Sequence, residues 1–252
     1  MTVLSVDCVG KDYGTRHVLT AASLSVTAGR IEALVGRNGA GKSTLMWIAA
    51  GLIPAKYGLV IWKGERLNRA RLWQLSRKGL MFIPADGLLA PAVRVRDQLL
   101  MFAETFPGGM PVEEAVRYMR LDECAGRRVV ELSGGERRRS DIAAALVRQP
   151  ACLLVDEVFR DVAPVDCEFV GSILRGLAAS GVAIAISGHE LAFVMQYSDH
   201  VTWCTNGTTR ELGSPQMANE NDSFRSEFLG LPWEVRAAEP PETKSILGTL
   251  KK

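Results

Sequence analysis

An α/β fold with a mostly parallel sheet is predicted for this chain, with an antiparallel β segment at its N-terminal end and a helical subdomain inserted in the core. Three observations predict it. From Cys152 onward, Cys152–Val155, Asp166–Ala179, Val182–Ser187 and Glu190–Tyr197 read in turn as strand, helix, strand and helix. Two strand-like runs, Val3–Val9 and Val18–Val26, open the chain on either side of the turn-rich Gly10–Gly14. Between Val95 and Pro150 strand-like runs nearly vanish, and helical patterns take over at Asp97–Phe106, Val112–Arg120 and Glu136–Arg148.

The remaining elements fit this frame. Ile31–Val35 is a short apolar run suited to a buried strand. Lys42–Gly51 lacks proline and reads as a helix ended by Gly51 and Pro54. Gly58–Trp62 and Leu80–Ile83 are further strands around a polar helix near Asn68–Lys78. Val201–Cys204 and Thr208–Leu212, joined through Asn206-Gly207, predict a hairpin. Residues 1–231 are expected to form one domain, with the helical subdomain at about 88–150 inserted in it. The stretch 232–252, with Pro240-Pro241 and a lysine end, is expected to be a poorly ordered tail.

Bulk composition narrows the function classes. A hydrophobic share of 47% supports a packed core, and a net charge of +2 gives no field that would attract nucleic acid. Cys8, Cys124, Cys152, Cys167 and Cys204 form no C-x-x-C pair, so reduced thiols are expected and a zinc site is not. Met1–Gly10 lacks the basic-then-apolar layout of a signal peptide. No apolar run approaches the roughly 20 residues that cross a bilayer.

Residues 36–44 read Gly-Arg-Asn-Gly-Ala-Gly-Lys-Ser-Thr, between the Ile31–Val35 strand and the helix that follows. That is the context in which G-x-x-x-x-G-K-[ST] cradles phosphate. Asn38, Gly39, Ala40, Gly41 and Thr44 belong to this cradle, where glycines let backbone N–H groups face phosphate oxygens at a helix N-terminus. Lys42 is suited to neutralise the β- and γ-phosphates, and the Ser43 hydroxyl to ligate Mg²⁺. The Cys152–Val155 strand ends in Asp156 and Glu157. The first is assigned to the Mg²⁺ shell and the second to orienting or deprotonating an attacking water.

Ser133-Gly134-Gly135-Glu136 opens the helix carrying Arg137, Arg138 and Arg139. Ser133 is suited to cap that helix with Glu136 returning the contact, and the same helix start is an anion site. A second phosphate site in a chain that already has one suggests two chains sharing each nucleotide. The arginine run is read as a solvated helix face. His189, following a strand, falls on the ligand edge of the sheet, where it could donate to a γ-phosphate oxygen. Tyr13 is placed in a turn where its ring could stack on adenine or simply anchor the loop. His17 and His200 are assigned no role.

These residues, in this order, resemble the ATP-binding subunit of an ABC transporter, over about Leu4 to Leu229. Gly36–Thr44 resembles the Walker A loop, Leu132–Glu136 the LSGGE signature, and Leu153–Glu157 Walker B with its catalytic glutamate. His189 matches the switch histidine and Tyr13 the adenine-stacking aromatic. The resemblance implies a P-loop NTPase core, Mg²⁺-dependent ATP hydrolysis, and a head-to-tail pair formed with a second copy or a paralogous ATPase subunit. In that pair Ser133 and Gly135 of one subunit close over ATP on Lys42 of the other. It further implies transmembrane permease subunits as partners, a peripheral position on the cytoplasmic face of the membrane, and no nucleic acid. The ending Phe224–Gly230, with Glu227-Phe228-Leu229-Gly230, is similar to that of the branched-chain amino acid and lipopolysaccharide transport ATPases.

Two positions depart from the family pattern. Ala85 follows Ile83-Pro84 where a glutamine is usual, and Ala163 precedes Pro164 where an aspartate is usual. Neither alanine offers an oxygen, although Asp86 stands next to the first. Slower or less tightly coupled hydrolysis is expected. Two alternatives stay open: a soluble ABC-type ATPase acting on another macromolecule, and a nucleotide-responsive module with weak hydrolysis.

Overall fold

The computed structural model describes residues 1–67 and 69–229, so the expected tail at 232–252 lies outside the described residues. The chain opens with β1 (Thr2–Tyr13), β2 (Arg16–Thr27) and β3 (Ile31–Val35), followed by α1 (Lys42–Ala49). Next come β4 (Tyr57–Trp62), β5 (Glu65–Leu67), α2 (Leu72–Arg77) and β6 (Leu80–Ile83). Then α3 (Val95–Thr105), α4 (Val112–Tyr118) and α5 (Gly134–Arg148) run with no named strand between them. Alternation returns with β7 (Cys152–Val155), α6 (Pro164–Ala179), β8 (Ala183–Ser187) and α7 (Leu191–Tyr197). The hairpin β9 (His200–Thr205) and β10 (Thr208–Gly213) leads to α8 (Pro215–Glu220), α9 (Asp222–Phe224) and a π turn at Arg225–Leu229.

Among the described residues the strands run in the order β5-β4-β1-β2-β10-β9-β3-β8-β7-β6. β9, β3, β8, β7 and β6 run parallel to one another, as the apolar runs predict for strands buried on both faces, while β10 pairs antiparallel with β9. β1, β2, β4 and β5 pair antiparallel, and a single parallel pairing, Thr208 with Ala21, joins the two halves. Side-chain alternation divides the interior into two cores. From β7, Leu153 and Val155 enter the core under α5, α6 and α7, while Cys152 and Leu154 enter the one under α1 and α2.

Several elements differ from expectation. The helix expected near Asn68–Lys78 is shorter, because Arg71 is extended and the Leu72 amide is spent on the Gly51 carbonyl; Asn68 lies outside the described residues. α5 and α6 each begin about two residues earlier than the apolar periodicity suggests. The glycines after Ser133, and Pro164 itself, sit in the first turn, where periodicity carries no signal. α8 was not anticipated, although Ser214 caps it and Pro215 occupies its first turn. Five free cysteines accord with the expected reduced thiols.

Two buried polar side chains pin the segment that leads from β6 into the helices. Asp141 of α5 accepts from the Leu88 and Leu89 amides at 3.0 and 3.4 Å. Gln98 of α3 accepts from the Ala90 amide at 2.7 Å and donates to the Ala90 and Val93 carbonyls. No described helix is long and apolar enough to cross a membrane.

One buried acid lies inside the parallel sheet. Glu32 on β3 accepts from the Thr202 hydroxyl at 2.5 Å and pairs with His200 Nδ1 at 2.9 Å on neighbouring β9. Burial pushes its carboxyl above the ordinary 4.5, Thr202 and His200 hold it back in part, and Glu211 pushes the same way as burial. A carboxyl raised in the folded state binds its proton more tightly there. Its contribution is therefore full below the unfolded value and is lost as pH rises through the folded one. Denaturation of wild type and Glu32→Gln between about pH 4 and 7 should show the variant gaining on wild type as pH rises. Parallel profiles would contradict this account.

Candidate functional site

A cavity of about 560 Å³ opens where β3 hands the chain to α1. Its walls include Tyr13 and Arg16 from the first hairpin, Asn38, Gly39, Gly41, Lys42, Ser43 and Thr44 from the loop and helix start, and Glu157 and His189 from the ends of β7 and β8. Four elements thus bring together residues up to 176 positions apart (His189 minus Tyr13). Ala40 faces a second cavity behind the loop, lined also by Arg37 and Phe228. Asp156 is buried at the end of β7 and, like Ser133, Gly134 and Gly135, is not among the residues that line the first cavity.

The loop is held by its neighbours. Gly36 has φ 151°, and a Cβ there would lie 2.3 Å from the Cys204 carbonyl oxygen of β9. The Cys204 thiol in turn donates to the Ala40 carbonyl at 3.0 Å, and burial pushes that thiol up to about 11. Lys42 is buried, and its ammonium donates to the Gly36 carbonyl at 2.8 Å and to the Arg37 carbonyl at 3.4 Å. Tyr13 is half-exposed, with Lys11 Nζ 5.5 Å from its ring centre.

The acidic corner is clamped by Ser187 at the end of β8. Its hydroxyl donates to Asp156 Oδ1 at 2.5 Å and accepts from the Glu157 amide at 3.0 Å. The Val158 amide donates to the Ser187 carbonyl, so two consecutive residues after β7 are tied to β8. Glu157 itself has φ 50°, a left-handed conformation that a non-glycine residue holds only when its surroundings enforce it. Its carboxylate meets His189 Nδ1 at 2.7 Å, and His189 Nε2 meets Glu190 Oε1 at 3.0 Å. Glu157, His189 and Glu190 could hold a cation, their ligand atoms lying within 4.8 Å of one another, but both ring nitrogens are already engaged. The wall also includes Ala85, whereas Asp86, the alternative oxygen donor, does not line the cavity.

Ser133 caps α5 and Glu136 returns the bond, at 3.3 and 2.8 Å, which is the expected capping box. The Ser133 backbone amide lowers the Glu136 carboxyl below its ordinary range. The reading of 137–139 as a solvated face is corrected. Arg137 is exposed, but Arg138 is only 5% exposed, and Arg139 pairs with Asp166 at 3.5 Å. Arg138 donates to the Glu157 carbonyl at 3.0 Å and reaches the Ala85 carbonyl at 3.5 Å and Asp141 at 3.7 Å. Three arginines in a row look alike in a sequence. A 3.6-residue turn nevertheless aims one of the three at the interior, and the aspartate three residues on was the available signal. Ser187 and Arg160 also escaped the sequence reading, the latter because nothing in its spacing places it on the cavity wall.

Comparison with known proteins places this geometry among relatives. A family model described as ABC transporter matches residues 19–160. The lipopolysaccharide export system ATP-binding protein LptB of Haemophilus influenzae is 25% identical over 236 residues, covering 91% of this chain and 98% of that protein. The Nod factor export ATP-binding protein I of Rhizobium etli is 29% identical over 254 residues, covering 98% of this chain and 78% of that protein. A solved ATP-binding cassette of an ABC transporter is 26% identical, with a TM-score of 0.78, covering 90% of this chain and 98% of the other.

The start of α5 packs hard against the loop that follows β7. A Cβ on Gly134 would lie 2.2 Å from the Asp161 carbonyl oxygen, a backbone atom that cannot rotate away. Gly134→Ala should therefore cost about 1–3 kcal/mol of stability and speed amide exchange across 158–162. Unchanged denaturation and unchanged exchange would contradict the close approach.

Proposed function

The chain belongs to the ABC transporter family, and on that premise we propose that it is the subunit that binds and hydrolyses ATP for separate membrane-spanning subunits, from their cytoplasmic side. One observation carries this reading: Lys42, Ser43 and Thr44 share a cavity with Glu157, His189 and Tyr13. The neighbouring names, which speak of lipopolysaccharide export and Nod factor export, support a transport setting. Cargo choice belongs to the spanning subunits.

Each residue takes a task that its place allows. Tyr13 stacks on the adenine at the cavity's rim. Amides of 38–44 face the phosphates, and Lys42 exchanges its two loop carbonyls for phosphate oxygens, a stronger, charge-assisted bond. Glu157 orients the attacking water and accepts its proton, while His189 leaves one carboxylate to donate to the terminal phosphate. A hydroxyl at Ser43 on the wall and the buried Asp156 carboxylate make a hard-oxygen donor set, which fits Mg²⁺. When bound, the ion supplies further neutralisation of phosphate charge.

Ser133, Gly134 and Gly135 lie off the cavity in their own chain. We assign them to the nucleotide of a second copy or of a paralogous subunit, which leaves each chain with half of two sites. ATP then holds the pair together, hydrolysis releases it, and the α3–α5 helices carry the change to the membrane partner. Residues 1–231 act as one domain in this scheme, with 88–150 as its moving part. The Ala85 side chain supplies no oxygen at the wall, which favours slow turnover over none.

Lys42→Ala should weaken ATP binding about tenfold or more, as expected when a charged phosphate contact is lost. Glu157→Gln should keep ATP binding and lose about two to four orders of magnitude in turnover. Equal ATP affinity in Lys42→Ala, or undiminished phosphate release from Glu157→Gln, would overturn the proposal. Ala85→Gln should raise the rate and sharpen its Mg²⁺ dependence; an unchanged profile would make that position irrelevant to the chemistry.

A further inference from the structure

Two cations line the nucleotide cavity without a task in the scheme above, Arg16 and Arg160. They come from different elements, Arg16 from β2 and Arg160 from the loop after β7. Arg16 lies near Gly39 on the hairpin side and also borders the second cavity behind the loop. Arg160 stands three residues after Glu157, its amide donating to the Glu157 carbonyl at 3.1 Å in a tight turn. It therefore lines the cavity close in the chain to Glu157, which pairs with His189.

Its side chain is available. The Arg160 guanidinium is 51% exposed, and its acidic partner, Asp161, is 81% exposed, with Nε to Oδ2 at 3.3 Å. An ion pair in that much solvent holds a side chain weakly. The backbone beneath it is held firmly instead. Ser187 ties down Glu157 and Val158, Arg138 holds the Glu157 carbonyl, and Asp161 is left-handed at φ 57° against Gly134. A solvent-exposed guanidinium on a fixed base is suited to reach a ligand without reorganising the loop.

The cavity also has room and need for it. Ala85, in the same lining, brings no polar side-chain atom. A triphosphate carries more negative charge than one lysine and one divalent ion cancel. The terminal phosphate is the group nearest Glu157 and His189 in the proposed reading.

We propose that Arg160 binds the terminal phosphate of the ATP held by its own chain, supplying the contact that Ala85 cannot and distinguishing ATP from ADP. The inference rests on the nucleotide site proposed above. Arg160 forks onto two oxygens of the γ-phosphate, a group that ADP lacks, so the contact is lost with the product.

The test measures ATP and ADP affinities with Mg²⁺ by competition against a fluorescent nucleotide, using full-length wild type, Arg160→Ala, Arg160→Lys and Lys42→Ala. Thermal melts confirm that each is folded. Arg160→Ala should weaken ATP binding about tenfold or more while changing ADP binding less than about twofold, and Arg160→Lys should recover part of the loss. Equal losses for both nucleotides, or no loss for either, would overturn the assignment. If Lys42→Ala destroys ATP binding and Arg160→Ala does not change it, the Arg160 assignment alone fails. If Lys42→Ala also binds ATP normally, the nucleotide site itself is misplaced and the Arg160 assignment falls with it.

Discussion

The Gly36 backbone passes so close to the Cys204 carbonyl that no side chain fits between them, and the site is organised around that approach. β3 is flanked by β8 and β9, so the chain leaving it has no free lateral space. It must turn at once, with a left-handed glycine, and start α1 within seven residues (from Val35 to Lys42). That turn ends at a helix start, where the peptide dipoles favour an anion. It also buries the base of Lys42 and lays its ammonium on the loop's own carbonyls. A phosphate that displaces those carbonyls exchanges a neutral acceptor for a charged one. The resting contact is thus weak enough to be replaced and strong enough to keep a buried cation solvated.

A second group of contacts joins the acidic corner to the helices beyond it. Ser187 aligns Asp156 and Glu157 through one hydroxyl, and Arg138 carries the Glu157 carbonyl to the interior of α5. Asp141, one turn along, holds the entry to the helical segment through the Leu88 and Leu89 amides. Glu157, α5 and the segment after β6 are therefore joined through Arg138 and Asp141. Buried polar groups of this kind are costly to leave unpaired in low dielectric.

The sequence made the parallel sheet and the phosphate loop legible because each has a local cause. Apolar runs such as Cys152–Val155 and Ile31–Val35 can be buried on both faces only within a covered sheet. The Gly-x-x-x-x-Gly-Lys-Ser pattern encodes the turn geometry itself. The capping box at Ser133 and Glu136 was readable for the same reason, since its partners are three residues apart. What escaped depends on distant pairing. Glu32, a charged residue in an apolar strand, is explained only by Thr202 and His200, 170 and 168 positions away. Arg138 resembled its solvent-facing neighbours until Glu157 and Asp141 were found around it. Arg160 and Ser187 acquire meaning only when β7 and β8 are laid side by side.

The central claim is that each chain carries half of two nucleotide sites: a cavity around Lys42, and a helix start at Ser133 that faces a second copy. Sedimentation of the Glu157→Gln protein tests it most directly, because turnover no longer consumes the ligand. With Mg²⁺ and ATP the protein should sediment as a dimer, and with ADP or without nucleotide as a monomer. A monomer at saturating ATP, or a dimer of equal strength in all three conditions, would contradict the account.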